Sequence, residues 1–200
     1  MSGLGERIRV QSVEVLSDDW YVLKKTTFDF QRGDGSWQRQ SRETYDRGNG
    51  ATILLYNRAR RTVVLTRQFR YPAYVNGWDA LLIETPAGLL DERSPEEAIQ
   101  RETMEETGFA VEAPRKLFEV YMSPGSVTEK LYFFAAEYDA GTRRGRGGGV
   151  EGEGEDIEVL EMSWEDARRR MRVGEICDAK TILLLLWAEL HVFAPGSGVE

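Results

Sequence analysis

One stretch of this chain is closed at both ends, and it constrains the fold more than any other. Ser94-Pro95-Glu96-Glu97 places a serine at an N-cap, a proline at the first helical position and a glutamate three residues past the cap, which is a capping box. Gly108 follows Thr107 and supplies a left-handed stop. The spacing predicts a helix over 95–107, with ends uncertain by a residue or two. On that helix Glu102, Glu105 and Glu106 stand at i, i+3 and i+4 and project from one face. Like charges so placed cost about a few tenths of a kcal/mol per pair unless something offsets them. A hard divalent cation is the natural offset, because Mg2+ and Mn2+ take carboxylate oxygens and water. Arg101, four residues before Glu105, can orient it or its neighbour. The competing reading is a solvated acidic face, and it is the one adopted for Glu96 and Glu97. For the other three glutamates, the surrounding sequence has to decide.

Extended runs rich in β-branched and aromatic residues predict strands over 8–15, 20–30 and 38–45, with Gly33-Asp34-Gly35-Ser36 as a turn. Gly48-Asn49-Gly50 then punctuates the chain, and 51–56 with 62–67 reads as a hairpin across 57–61. Strands return over 116–121, 129–138 and 157–162. Between the last two, residues 141–155 are too glycine-rich for regular structure. Helices over 163–171, where Ser163 and Asp166 give a cap signal, and over 179–192 close the chain. This order predicts an α/β fold, with residues 1–47 as an N-terminal β appendage on a core domain of 48–200.

Composition removes several function classes. With 26 Lys and Arg against 34 Asp and Glu the net charge is −8, which argues against nucleic acid as a partner. It leaves a phosphorylated small molecule open, since a bound Mg2+ would carry the positive charge. The single cysteine, Cys177, excludes an intrachain disulfide and a multi-cysteine zinc site. The single histidine, His191, sits in the last predicted helix and reads as structural, which disfavours a Ser-His-Asp hydrolase. The longest apolar run, 182–188, is too short to span a bilayer. The first ten residues, MSGLGERIRV, hold no apolar core of signal-peptide length, so the expected location is cytoplasmic, with no membrane contact.

The stretch from Gly88 to Phe109, with Arg101-Glu102, Glu105-Glu106 and Gly108 in order, resembles the box of the Nudix hydrolase family. One departure is visible: Gly88 lies one residue closer to Arg101 than is usual in the family. The family's early acidic position therefore falls on Ser94, with Asp91 and Glu92 as nearby substitutes. Pro86-Ala87-Gly88, Arg67-Gln68-Phe69-Arg70 and Glu153-Gly154-Glu155-Asp156-Ile157 resemble the branch that cleaves nucleoside diphosphate sugars, which includes ADP-ribose pyrophosphatases. Residues 45–56, 121–125 and 147–151, together with the shortened box, are most similar to its GDP-mannose-cleaving members.

This resemblance implies an α/β/α sandwich with a mixed sheet, and an appendage that mediates a homodimer with each active site near the subunit boundary. It implies Mg2+-dependent hydrolysis, with Mn2+ able to substitute, of GDP-mannose to GMP and mannose 1-phosphate. ADP-ribose cleavage to AMP and ribose 5-phosphate, or nucleotide binding without turnover, are the alternatives. Carried over by position, Glu102, Glu106 and Glu155 bind Mg2+, Ala87 adds its backbone carbonyl, and Glu105 is a ligand or close behind one. Glu153 is the general base, with Glu151 and Glu105 as rivals. Arg67 and Arg70 are candidates for substrate phosphate, because guanidinium forks match phosphate oxygens. Strand alternation, however, puts them on opposite faces unless a turn intervenes. Trp20 is read either as a base-stacking residue or as core, and Arg42 and Lys180 as sugar or phosphate contacts.

Overall fold

The computed structural model describes residues 3–150, 152 and 154–194. The chain divides into two compact units. One runs to Asn49 and also takes in Tyr121–Lys130; the other comprises Gly50–Val120 and the chain from Leu131 onward.

The first unit is an antiparallel three-stranded sheet of β1 (Ile8–Asp18), β2 (Val22–Gln31) and β3 (Trp37–Asp46), in that order. β2 and β3 pair in unbroken register from Val22 opposite Asp46 to Gln31 opposite Trp37, whereas β1 shifts register twice, after Val10 and after Val15. The expected turn is present: Gly35 adopts φ 84°, and Asp34 accepts from both the Ser36 amide and its hydroxyl. Residues 121–130 return to this unit. There the Tyr45 amide donates to the Ser126 carbonyl at 2.8 Å, and the Thr128 amide donates to the Tyr45 carbonyl at 3.1 Å. Trp20 is 82% exposed and packs edge-on against Tyr21, so it is not a core residue.

The second unit carries a mixed sheet. Its elements are β4 (Gly50–Asn57), β5 (Thr62–Gln68), α1 (Tyr71–Val75), β6 (Leu82–Glu84), β7 (Ala87–Leu89), α2 (Pro95–Thr107), β8 (Arg115–Tyr121), β9 (Lys130–Glu137), β10 (Glu158–Ser163), α3 (Trp164–Arg172) and α4 (Ala179–His191). Strand order is β10-β5-β4-β9-β8, with β6 on β5 and β7 on β4. The β4–β9 pair is parallel, and β4–β5 and β5–β10 are antiparallel.

Alternation along β4 shows why helices lie on both faces. Ala51, Ile53 and Leu55 point to one side and share a core with Ala98 and Ile99 of α2, Leu90, Phe109 and Phe134. Thr52 and Tyr56 point to the other. Thr52 connects through Thr85 to Thr181 of α4, and the Tyr56 ring centroid lies 6.3 Å from that of Trp187. The result is the expected α/β/α sandwich.

Three elements are missing from the sequence reading. α1, β6 and β7 span three to five residues each, too few for any periodicity to show. α4 buries only Thr181, Leu184, Leu185 and Ala188, and leaves Leu183, Leu186 and Leu190 exposed. Among the described residues no helix is long and apolar enough to cross a membrane.

Candidate active site

The two caps set the helix as its ends foretold. The Ser94 hydroxyl accepts from the Glu97 amide at 3.3 Å, and the Glu97 carboxylate accepts from the Ser94 amide at 3.0 Å. Gly108 closes the helix at φ 75°. Ser94 is thus committed to the cap. The acid that approaches Arg101 from the preceding loop is Asp91, in a left-handed conformation with φ 51° and its Oδ2 3.9 Å from the Arg101 Nη2.

Arg101 ties two of the box glutamates together. It forms an ion pair with Glu102 and donates to both Glu105 oxygens, at 2.9 and 3.3 Å. Glu106 is 2% exposed and accepts the Ala87 amide at 3.2 Å. Burial, and then the negative charges of Glu102 and Glu155, push its pKa up to about 8, against the pull of the Ala87 amide and Arg70. Gly88, paired opposite Ala51, leaves room for Glu102: a Cβ there would come under 3.0 Å from the Glu102 Cγ, Cδ and Oε1.

Residues 141–150 of the glycine-rich segment form no helix or named strand, as expected, but they are not a loose linker. The Arg144 and Gly145 amides donate to the Gly108 carbonyl at 2.8 and 3.0 Å. Those of Gly148 and Gly149 reach the Glu106 and Glu105 carbonyls at 2.9 and 3.1 Å. The segment therefore satisfies the orphan carbonyls at the end of α2. Glycine is required by contact as well as by conformation. A Cβ on Gly147 (φ 69°) would lie 2.5 Å from the Glu106 carbonyl, and one on Gly149 (φ 80°) 2.5 Å from the Glu155 carboxylate. Glu155 is held there by the Val150 amide at 2.9 Å. The backbone thus delivers a third carboxylate to the field of Glu106. Glu151 and Glu153 lie outside the described residues.

The donor set fits a hard divalent cation. Burial first, and then the charges of Glu102 and Glu155, oppose ionisation of the Glu106 carboxyl, a cost that a cation would relieve. No three described Asp, Glu, His or Cys side chains are drawn in around a single point. Instead Arg101 engages Glu102 and Glu105, and the Val150 amide engages Glu155.

A pH dependence follows. The unfolded chain ionises Glu106 at its ordinary value of 4.5, and the folded chain resists until about 8, so the ion-free protein loses stability as pH rises between those values. Mg2+ must displace that proton, so calorimetry should find binding roughly 50-fold tighter at pH 8 than at pH 6. Equal affinity at both would remove Glu106 from the ion's ligands.

The proposed substrate contacts separate into groups. β5 ends at Gln68, so the alternation that set Arg67 against Arg70 does not reach Arg70, which caps the start of α1. Arg67 pairs with Glu158 of β10. Arg70 donates to the buried Glu84 at 2.7 Å, and Lys180 pairs with the same carboxylate and with Asp178 at 3.0 Å. Burial opposes the charge on Arg70, but Glu84, Glu106 and Asp178 outweigh it and raise its pKa. Arg70 and Lys180 thus meet at Glu84 within the field of Glu106, and Arg67 does not join them. Glu84 was not singled out from the sequence, where it reads as the end of a short apolar run. Arg42 and Trp20 belong to the first unit, where the Arg42 guanidinium donates to the Ser41 carbonyl and the Gln40 side chain.

Residues 46–181 match the NUDIX domain family. This chain belongs to the Nudix family. Residues 7–45 of this Nudix hydrolase match a second family, described as the GDP-mannose pyrophosphatase NudK N-terminal domain. Proteins named GDP-mannose pyrophosphatase are similar over nearly the whole chain. That of Pectobacterium atrosepticum is 58% identical over 191 residues, covering 94% of this chain and 98% of the relative. That of Citrobacter koseri is 53% identical over 91% and 95%, and that of an Enterobacter species is 52% identical over 92% and 96%. Nudix hydrolases generally use Mg2+, which agrees with the carboxylate donor set.

Proposed function

We propose that this Nudix hydrolase cleaves the pyrophosphate bond of GDP-mannose, giving GMP and mannose 1-phosphate, with Mg2+ or Mn2+ held by Glu102, Glu106 and Glu155 and the Ala87 carbonyl. The observation that carries the chemistry is buried Glu106, raised to about 8 by burial and by Glu102 and Glu155 beside it. The substrate rests on relatives named for GDP-mannose that match end to end. When bound, the ion neutralises phosphate charge and lowers the pKa of a water. Arg101 aims Glu102 and Glu105, and the Ala87 amide fixes one oxygen of Glu106. Arg70 and Lys180, held by Glu84, present positive charge to the phosphates. Arg67, paired with Glu158, serves as a further phosphate contact.

The general base in this reading is Glu153. Glu153→Gln should lower kcat by about 100-fold and flatten the alkaline-going limb of the pH–rate profile. An unchanged rate and profile would transfer the role to Glu151 or Glu105.

We assign residues 1–47 as a dimerisation appendage and 48–200 as the catalytic domain. The separate family matches to 7–45 and 46–181 support that division. Uncovered β1, with Val10, Val13 and Val15 exposed, supports a homodimer, since a bare edge strand invites pairing. In the homodimer, Trp20 and Arg42 of the appendage are candidates for base and phosphate contacts. A cytoplasmic location accords with the free, exposed thiol of Cys177.

Competition between GDP-mannose and ADP-ribose, read as release of GMP against AMP, tests the substrate. A higher kcat/KM for GDP-mannose supports the proposal, and a higher value for ADP-ribose replaces it with that nucleotide sugar. Binding of either without turnover would leave a nucleotide-binding protein.

A further inference from the structure

Three fully buried threonines meet in a row behind the site, with Thr85 in the middle. Thr52 of β4 and Thr85, between β6 and β7, have their hydroxyls 2.9 Å apart. The Thr181 hydroxyl of α4 lies 3.3 Å from that of Thr85 and accepts the Thr85 amide at 2.7 Å. Each hydroxyl has one hydrogen to give. Thr52 gives its hydrogen to the Pro86 carbonyl at 3.0 Å, and Thr181 gives its own to the Asp178 carboxylate at 2.6 Å. The Thr85 hydroxyl then donates to the nearer of its two hydroxyl neighbours, Thr52 at 2.9 Å rather than Thr181 at 3.3 Å. The bonds therefore run in a fixed sense, ending on Asp178 at one side and on the Pro86 carbonyl at the other.

What this chain of bonds supports is the segment that builds the site. Glu84 anchors Arg70 and Lys180, Ala87 gives its amide to Glu106, and Gly88 makes room for Glu102. β6 and β7, which flank Thr85 and Pro86, are only three residues each. The Thr85 amide is held by Thr181, and the Pro86 carbonyl by Thr52 and by the Ile53 amide at 3.1 Å. Neither Thr85 nor Pro86 lies in a strand, so the Thr52 and Thr181 side chains, with the single Ile53 amide, set the depth of this segment.

We propose that Thr181 is a positioning residue for the metal site, fixing the Thr85–Pro86 backbone from the opposite face of the sheet so that Ala87 and Glu84 stand in register with Glu106. This rests on the metal-dependent reading above. Thr181→Val keeps the shape but leaves the buried Thr85 amide unbonded. Thr181→Ser restores the hydroxyl. Leu185→Ala, on the same buried face of α4 but outside the bonded chain, controls for loss of stability alone.

Mg2+ affinity by calorimetry and hydrogen exchange at the Thr85 and Ala87 amides are the measurements. Thr181→Val should weaken Mg2+ about tenfold and speed exchange at both amides, while Thr181→Ser stays within about twofold of wild type. Leu185→Ala should melt lower with unchanged Mg2+ affinity. Wild-type affinity and exchange in Thr181→Val, or equal weakening in Leu185→Ala, would overturn the proposal. A wild-type protein that binds no Mg2+ would instead overturn the metal-dependent reading and this inference with it.

Discussion

Glu106→Gln should lower kcat by about 1000-fold while the protein stays folded, the loss expected if about 4 kcal/mol of transition-state stabilisation depends on this ligand. Glutamine keeps the volume and can still accept the Ala87 amide, which bonds one oxygen of Glu106 at 3.2 Å. It cannot supply the negative charge for which the site already bears the cost of burial. The same substitution should therefore raise the ion-free melting temperature above pH 8, where wild-type Glu106 is ionised against its surroundings. Activity lost together with ion-free stability gained distinguishes a ligand from a packing residue, whose replacement would lower both. Turnover within tenfold of wild type at saturating Mg2+ would take Glu106 out of the site.

Gly88→Ala should also be strongly damaging, although it removes no functional group. Its Cβ would come under 3.0 Å from three atoms of the Glu102 side chain, and Arg101 holds that side chain in place. Either β7 or the carboxylate must move. The first costs about 1–3 kcal/mol as overpacking, and the second displaces a proposed ligand, for a kcat loss of about 100-fold. Gly33→Ala, with no atom within 4 Å of its Cβ position, should be neutral in both melting temperature and kcat. If Gly88→Ala matches that control, Glu102 has room to spare and does not need the close approach.

The features legible in sequence were those with local causes. α2 was bounded correctly because Ser94, Glu97 and Gly108 each satisfy backbone groups within four residues of themselves. Hairpin strands β4 and β5 carried their own apolar and β-branched runs, with the turn between them. By contrast, β6 and β7 exist only because β5 and β4 pair with them, so the position of Glu84 under Arg70 and Lys180 depends on contacts 14 and 96 residues apart in sequence. Residues 121–130 join the first sheet through bonds to Tyr45 and so gave no local sign of membership. The glycines of 147–149 read equally as linker or as packing. Only the nearness of the Glu106 carbonyl and Glu155 shows that side chains are excluded there. At Arg70 the turn that the alternation argument had to allow for does intervene: the strand stops at Gln68, and alternation carries no information past its end, while Arg67 and Arg70 take different partners.

The most direct test of the whole account is phosphorus NMR of GDP-mannose incubated with the full chain and Mg2+, and again with EDTA. The account predicts GMP and mannose 1-phosphate in equal amounts, with no turnover in EDTA. Release of GDP with free mannose, or the same products in EDTA, would contradict it.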